Sequence, residues 1–282
     1  MIVLNKLFTQ TTFKQLFDEF SNHKTYIDAV QACGINTAGK TNTEVIAEIY
    51  EFMRKSYRNE YFYKNTMLHE LALEENTPYK PTALTEIPIG KSKADFIVLG
   101  DKAIVYEIKT GLDTFERLET QLSDYYKAFQ YVAIVTDEKN KDVIVRKLKG
   151  TPTGIYLMNE NDKLVCVKEP IQCENCLSVS ELFRILNQKE YKSILLELFG
   201  SLPNVPPVRY YTECRKLFCS IPISVTYPLF CEALKARSAV SEAFRNVPYE
   251  LKALVYFAKH NSTYYDDLER FLTSDCFKIP KL

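Results

Sequence analysis

Several features are missing from this 282-residue sequence, and each absence removes a class of protein from consideration. No run of 18 or more apolar residues occurs, so no transmembrane helix is expected. The start, MIVLNKLFTQ, has no small-residue cleavage site of a secretory signal. Lysine plus arginine equals aspartate plus glutamate at 36 each, so global charge gives no argument for a nucleic-acid partner. We therefore expect a cytoplasmic protein without a membrane partner.

Tryptophan is also absent, and no internal repeat or low-complexity segment occurs. Hydrophobic residues make up 46% of the chain and charged residues 26%, which is typical of globular proteins. The 19 tyrosines and 17 phenylalanines are spread along the chain, so most are expected to pack in or near a core. The length allows one large domain or two ordinary ones.

The eight cysteines could form disulfide bonds, but the length and the lack of a secretory signal favour a reducing compartment. A zinc site is an alternative, because CENC at 173–176 has the CxxC spacing of zinc ligands. Cys214 and Cys219 are its first candidate partners, with Cys166 and Cys231 as further choices. The spacing from Cys214 to Cys219 is wider than usual, so free thiols are the favoured interpretation.

The segment GINTAGKT at 34–41 matches the phosphate-binding pattern G-x-x-x-x-G-K-[ST]. That pattern needs a buried strand before it and a helix after it. The preceding KTYIDAVQACGI has instead the spacing of a helix that ends at a glycine cap. We therefore favour a helix, a glycine-capped turn and a second helix, with a P-loop nucleotide-binding protein as the less favoured alternative.

Hydrophobic periodicity divides the chain into an α/β part and a helical part. One or two helices are predicted over 43–75, one over 112–130 that starts at Asp113 or Thr114, and one that ends near 149. Strands are predicted at 82–90, 93–100, 102–110, 131–137, 153–159 and 163–169. The strand at 131–137 is fully apolar, as expected in the middle of a mixed sheet with both faces covered.

Helical segments predominate after 178, so we place a domain boundary near 176. The first predicted domain, 1–176, has an α/β core and a helical N-terminal extension. The second region, 177–282, is predicted to be α-helical. This region is the candidate surface for a homodimer.

The hairpin KADFIVLGDKAIVYEIKTG at 93–111 carries charged residues among Val, Ile and Phe. Glu107 and Lys109 lie two apart on one predicted strand and point to the same face, and the hairpin can bring Asp95 beside Glu107. Two neighbouring carboxylates repel, and burying them without a partner is costly. A divalent cation such as Mg²⁺ removes that cost, and the lysine can orient an attacking water. The pattern indicates phosphodiester hydrolysis, with an ordinary cross-strand salt pair as the alternative.

Residues 60–136 resemble the core of the PD-(D/E)XK nuclease superfamily, which has the restriction-endonuclease-like fold. That family carries Asp…(Asp/Glu)-x-Lys on a hairpin within an αβββαβ core with a mixed central sheet. Asp95, Glu107 and Lys109 match this signature position for position. The proline of the family's name is replaced by Ala94, a departure that is common in the superfamily.

Two further marks fit this resemblance. Gln121-x-x-x-Tyr125 resembles the QxxxY motif of RecB-like exonucleases, which implies that both side chains support the substrate or the lysine. Many members also supply an acidic residue from the first core helix. Glu60 and Glu70 are the candidates on that helix, Glu86 on the first strand is a third, and Glu60 is preferred.

The run DTFERL at 113–118 resembles a more specific group of poorly characterised bacterial and phage proteins. In that group a helix that begins with a similar run follows the E-x-K strand. The similarity covers residues 55–200, and the remaining segments match nothing recognisable. The resemblance to this group implies a role in phage or mobile elements or in defence.

The resemblance implies a concrete metal site. Asp95 and Glu107, with the carbonyl of Ile108, hold one or two Mg²⁺ or Mn²⁺ ions. Lys109 positions or activates the water and stabilises charge on the scissile phosphate. The implied enzyme is a metal-dependent nuclease with nucleic acid as its partner and DNA as the favoured substrate. A catalytically silent protein that keeps the nuclease fold for binding or regulation is the alternative.

Residues that flank this site are candidates for contacts with the phosphate backbone. They are Thr110, Asp113 and Arg117. For Arg117, a salt bridge on the helix surface with Asp113 or Glu116 is the alternative.

Overall fold

The computed structural model describes residues 2–17, 23–73, 81–111, 113–237, 241–258, 260 and 263–276. The α-helices are α1 Ile2–Leu7, α2 Gln10–Gln15, α3 Lys24–Cys33, α4 Asn42–Ser56, α5 Glu60–Ala72, α6 Leu118–Tyr125, α7 Lys141–Lys147, α8 Val179–Ile185, α9 Gln188–Phe199, α10 Pro207–Cys219, α11 Ile223–Lys235, α12 Lys252–Tyr256 and α13 Tyr264–Thr273. The strands are β1 Thr82–Leu84, β2 Ile87–Ile89, β3 Ser92–Ala94, β4 Phe96–Leu99, β5 Ala103–Lys109, β6 Tyr131–Asp137, β7 Gly154–Met158 and β8 Leu164–Lys168. Within these described ranges, no helix has the length and apolar character needed to cross a membrane.

Two compact units make up the chain, and the first is built from both of its ends. This unit comprises Met1–Leu68 and Val240–Leu282, and the second comprises His69–Ala239. The boundary predicted near 176 therefore lies inside the second unit. The physical reason is packing, because α8 contacts β2 and α11 contacts β4, which joins these helices to the sheet.

The second unit contains a six-stranded mixed sheet in the order β1-β4-β5-β6-β7-β8. β4 runs antiparallel to both β1 and β5, β5 to β7 are parallel, and β8 is antiparallel to β7. The strand predicted at 131–137 is confirmed as β6, which lies in the interior of the sheet. The α/β class with a mixed central sheet is therefore confirmed.

The first two predicted strands are each broken once, and the two breaks lie opposite each other. The strand predicted at 82–90 is divided into β1 and β2, and that at 93–100 into β3 and β4. β1 and β4 belong to the large sheet, whereas β2 and β3 form a separate two-stranded sheet. Glu86, with φ 60°, lies in one break, and Asp95 lies in the other. A positive φ at a non-glycine residue turns the chain out of the strand path, which explains the division.

The helix predicted over 112–130 is shorter than expected, since α6 spans Leu118–Tyr125. The first predicted residue lies outside the described part of the chain. Asp113 does not cap α6, because its Oδ2 accepts hydrogen bonds from the Thr110 amide (2.8 Å) and hydroxyl (2.7 Å). A short acidic side chain can bind nearby backbone donors in this way instead of starting a helix.

Aromatic side chains fill the core between the sheet and the helices of the second unit. Phe129 and Phe230 are both fully buried, and their ring centroids lie 5.6 Å apart in an edge-to-face arrangement. Phe183 contacts the rings of Tyr191 and Phe218 at 4.7 and 5.3 Å. The segments after residue 176 therefore contribute directly to the core that supports the sheet.

Replacing Phe129 with alanine is expected to lower the free energy of unfolding by about 3–5 kcal/mol, because the change leaves a cavity in this core. Chemical denaturation of the full chain, followed by circular dichroism, measures the effect. Phe199 is 44% exposed and provides the matched control. The Phe199→Ala variant is expected to change stability by less than about 1 kcal/mol. Equal losses in the two variants would contradict this assignment of the core.

A buried polar residue connects distant segments within the first unit. The Asn42 side chain is fully buried, accepts a hydrogen bond from the Tyr26 hydroxyl at 2.9 Å and donates to the Phe271 carbonyl at 3.0 Å. These bonds satisfy an amide that would otherwise be costly to bury. They join α3 and α4 to α13, near the opposite end of the sequence.

The segment GINTAGKT connects two helices, as the favoured interpretation predicted. Gly34 ends α3 with φ 67°, and Thr41 caps α4 in a reciprocal capping box with Glu44. Lys40 pairs with Glu48 at 2.6 Å. A helix precedes the segment where a P-loop has a buried strand, so its geometry is not that of a nucleotide site.

Candidate active site

Asp95 lies where the chain passes from the two-stranded sheet into the six-stranded sheet. The pairing Phe96↔Tyr106, continued by one residue, puts Asp95 opposite Glu107. Asp95 Oδ2 accepts a hydrogen bond from the Ile108 amide at 2.9 Å. This contact ties the Asp95 carboxylate to the strand that carries Glu107.

Glu107 is 1% exposed, and three side chains contact its carboxylate. Oε1 lies 2.8 Å from Lys109 Nζ and 2.5 Å from Gln121 Nε2, and Oε2 lies 2.5 Å from the Tyr125 hydroxyl. Lys109 reaches Glu107 because residues two apart share one face of a strand, while Gln121 and Tyr125 share one face of α6. The structure thus brings together four of the residues that the sequence singled out.

The Tyr125 hydroxyl connects Glu107 to the neighbouring hairpin. It lies 2.9 Å from the carbonyl oxygen of Lys93 as well as beside the carboxylate. Burial and the adjacent Glu107 charge raise the pKa of Tyr125 well above its usual value, so the hydroxyl stays protonated and donates. Within the described part of the chain, the Oε1 atom of Gln121 is buried without a hydrogen-bond partner and is available to accept one.

Glu86 is a third carboxylate on the same strand pairs. The pairing Ile87↔Ala94, continued by one residue, puts Glu86 opposite Asp95. A carboxylate oxygen of Glu86 lies within 4.8 Å of one of Asp95, and Lys93 forms an ion pair with Glu86. The positive φ of Glu86 is a conformation that often accompanies functional sites.

The other two acidic candidates also form ion pairs with lysines. Glu60 begins α5 in the first unit, where it lies 2.6 Å from Lys64 Nζ, and its role stays a prediction. Glu70 accepts a hydrogen bond from the Leu164 amide at 2.8 Å and pairs with Lys163 at 2.9 Å. These contacts put Glu70 at β8, three strands from β5.

The position of Glu86 beside Asp95 is also encoded in a local sequence feature, the turn that joins β2 and β3. Gly90 and Lys91 form a two-residue turn between β2 and β3, and only Gly90 has a positive φ, as in a type II′ turn. A two-residue turn determines the register of its strands. Counting back from it therefore pairs Glu86 with Asp95.

The flanking candidates differ in their accessibility. Thr110 is 5% exposed, and its amide and hydroxyl both donate to Asp113, so a phosphate contact would require Asp113 to release the hydroxyl. Arg117 is exposed at the start of α6. No ion pair of Arg117 with Asp113 or Glu116 occurs among the residues that the structure describes.

The oxygen donors of this site fit a hard divalent cation. Mg²⁺ and Mn²⁺ prefer carboxylate and carbonyl oxygens, which Asp95, Glu107 and Ile108 supply. The Ile108 carbonyl points to the same side of β5 as the Ile108 amide, which is the side of Asp95. Glu107 Oε2 has the Tyr125 hydroxyl as its partner, which leaves a lone pair for a ligand.

The cysteines do not form a comparable site. All eight are free thiols, and within the described ranges no three Cys, His or acidic groups that include a cysteine lie close enough to share an ion. The sulfur atoms of Cys173 and Cys176 lie 3.9 Å apart, whereas Cys214 is buried and Cys219 is exposed. The favoured interpretation as free thiols therefore agrees with the structure.

A family model described as Bacteriophage P4 protein cII matches residues 53–252, well over half of the chain. This chain belongs to that family. The family's description agrees with the expected connection to a phage or mobile element. No curated protein and no solved structure matches the chain significantly.

The part of the chain that matches the P4 cII family contains all of the candidate site residues, from Glu60 to Tyr125. It includes the whole second unit, with the mixed sheet, α6 and the helices α8–α11. The candidate active site is therefore inside the family's matched region and not in an appended segment.

Proposed function

We propose that this member of the P4 cII family is a metal-dependent nuclease of the PD-(D/E)XK type. One observation carries the proposal: a buried glutamate, Glu107, lies opposite Asp95 and is held by Lys109, Gln121 and Tyr125. Burying a carboxylate opposite a second carboxylate costs stability. Such arrangements are concentrated at functional sites.

The succession of elements supports the same proposal. A helix (α5), three antiparallel extended segments (β1 with β2, β3 with β4, and β5), a helix (α6) and a strand parallel to β5 (β6) follow one another. In this order the breaks at Glu86 and Asp95 interrupt the first two strands. This succession supports the proposal, because the αβββαβ core that the resemblance implies would have the same order of elements.

The reaction would add water across a P–O bond of the backbone and yield a phosphate monoester and a hydroxyl. Asp95, Glu107 and the Ile108 carbonyl would hold the cation, with Glu86 as the additional carboxylate. When bound, a divalent cation stabilises charge on the phosphate and lowers the pKa of a bound water. The Lys109 ammonium has three donors, so one can remain on Glu107 while the others orient the water and a phosphate oxygen.

A nuclease assay on the full chain tests this function. Single- and double-stranded DNA and RNA are incubated with Mg²⁺, with Mn²⁺ or with a chelator, and DNA is expected to be cleaved only when a metal is present. Binding of DNA without cleavage under every metal condition would instead favour the catalytically silent alternative. Absence of both binding and cleavage would overturn the proposal.

A further inference from the structure

The hairpin of β2 and β3 is a small element that needs support from outside. Each strand has three residues, and the two pair only with each other in a sheet separate from the six-stranded one. A lone two-stranded hairpin is marginally stable at best in water. The base of this hairpin carries Glu86 and Asp95, so the position of both carboxylates depends on what holds the hairpin.

Asp124 on α6 holds the tip of the hairpin. Its Oδ2 accepts hydrogen bonds from the Lys91 amide at 3.0 Å and from the Ser92 hydroxyl at 2.8 Å, and its Oδ1 lies 2.6 Å from Lys127 Nζ. Asp124 is buried, with 6% of its side chain exposed. Burial alone raises the pKa of Asp124, but the bonds from Lys127, Ser92 and the Lys91 amide outweigh it and hold the pKa below its usual value.

The tip of the hairpin packs closely against Asp124. Gly90 has φ 61°, and a Cβ at this position would clash with the Asp124 carboxylate. The Gly90 amide donates to Glu181 Oε1 at 2.6 Å, and Glu181 is 8% exposed. Two buried carboxylates, one on α6 and one on α8, therefore bind consecutive amides of the same turn.

The helix that carries Asp124, α6, also contacts Glu107. Asp124 precedes Tyr125, whose hydroxyl lies between Glu107 and the carbonyl of Lys93 on β3. Asp124 and Tyr125 thus attach α6 to the tip and to the base of the hairpin. The same helix contacts all three carboxylate-bearing segments, directly at Glu107 and through the hairpin at Glu86 and Asp95.

We propose that Asp124 is a positioning residue that fixes the β2–β3 hairpin and thereby keeps Glu86 and Asp95 aligned with Glu107 for binding a divalent cation. The inference rests on the proposed function, because it assigns a metal to this site. It extends that function by giving a role to a residue outside the D…ExK…QxxxY pattern. Asp124 itself contacts no reacting atom.

Binding of Mn²⁺ to the full chain in the absence of nucleic acid, measured by titration calorimetry, tests this role. Loss of a residue that orients metal ligands typically weakens metal affinity by about 10–100-fold. We expect Asp124→Ala to weaken Mn²⁺ binding at least about tenfold. We expect Asp124→Asn, whose amide oxygen can still accept from Lys91 and Ser92, to remain within about threefold of the wild type.

Lys127→Met is the matched control, because it removes the ion-pair partner of Asp124 and none of the hairpin contacts. We expect its Mn²⁺ affinity to equal that of the wild type. Hydrogen exchange supplies a readout that does not involve metal. Amides of the hairpin are expected to exchange faster in Asp124→Ala than in Lys127→Met.

A pair of glycine variants keeps the test decisive if Asp124→Ala fails to fold. Gly90→Ala and Gly150→Ala both place alanine at a positive φ, but only the first meets Asp124, since nothing lies within 4 Å of a Cβ at Gly150. Weakened Mn²⁺ binding in Gly90→Ala alone supports the inference. Equal Mn²⁺ affinity in Asp124→Ala and the wild type overturns it, as does equal weakening in both glycine variants. A wild type that binds no Mn²⁺ overturns the metal site itself, and the inference with it.

Discussion

Replacing Glu107 with glutamine is expected to reduce nuclease activity by roughly a thousandfold or more, because the change removes the central carboxylate of the metal site. Glutamine keeps the length of the side chain and one acceptor for the Lys109 ammonium, so the variant is expected to fold. Mn²⁺ binding, measured by titration calorimetry, is expected to weaken in parallel by about tenfold or more. Initial rates of DNA cleavage at saturating Mg²⁺ give the loss of activity.

Glu232→Gln is the matched control for the Glu107 variant. Glu232 has an exposed carboxylate on α11 that pairs with Lys235. Its replacement by glutamine removes one negative charge and leaves the candidate active site unchanged. Its activity and Mn²⁺ affinity are expected to equal those of the wild type. If Glu107→Gln cleaves DNA at more than about a tenth of the wild-type rate, the metal site does not include Glu107.

The Lys109→Met variant is expected to lose about 100- to 1,000-fold in cleavage rate, because its ammonium would orient the water and stabilise charge that develops on the phosphate. Lys109 is 8% exposed, and methionine occupies similar space without the charge. The substitution removes the positive charge that pairs with Glu107, and the carboxylate then attracts a metal cation more strongly. Mn²⁺ binding is therefore expected to be retained or strengthened. Single-turnover cleavage rates and Mn²⁺ titrations, performed on the same preparation, separate the two effects.

The Glu107 and Lys109 variants are therefore expected to differ in metal affinity, and purely structural roles for both residues would not produce that difference. Glu107→Gln is expected to lose both metal and activity, whereas Lys109→Met is expected to lose activity alone. Lys149, an exposed lysine without an ion pair among the described residues, provides the control variant Lys149→Met. If Lys109→Met stays as active as this control, then Lys109 only neutralises Glu107 and takes no part in hydrolysis.

Much of the second unit was predictable from local patterns. The unbroken apolar run of β6 indicated an interior strand, and the alternation in β5 put Glu107 and Lys109 on one face. Both features depend on residues close together in the chain. Their prediction therefore did not require knowledge of tertiary contacts.

The extent of α6 was not predictable in the same way. The residues after β5 have helical spacing, yet Asp113 binds Thr110, and the helix begins only at Leu118. The competing hydrogen bonds exist because β5 ends beside Asp113. Helical periodicity indicates which face of a helix is apolar. It does not indicate which backbone N–H groups will donate hydrogen bonds to an aspartate side chain.

The domain division was equally dependent on tertiary contacts. Helices follow residue 176 as predicted, but α8 and α11 pack on the strands, and the last segments join the N-terminal helices. Composition changes along the chain identify the type of element. They do not identify its packing partner, because that depends on surfaces contributed by distant residues.

By itself, the sequence determined the α/β class, the succession of extended segments along the chain and the residue types that meet around Glu107. Only the tertiary structure decided that Glu70 contacts β8, and that Asp124 contacts the hairpin that carries Glu86 and Asp95. The physical reason is that burial and strand pairing join residues far apart in the chain. A carboxylate acquires neighbours from strand register and helix packing, and the local sequence contains only part of that information.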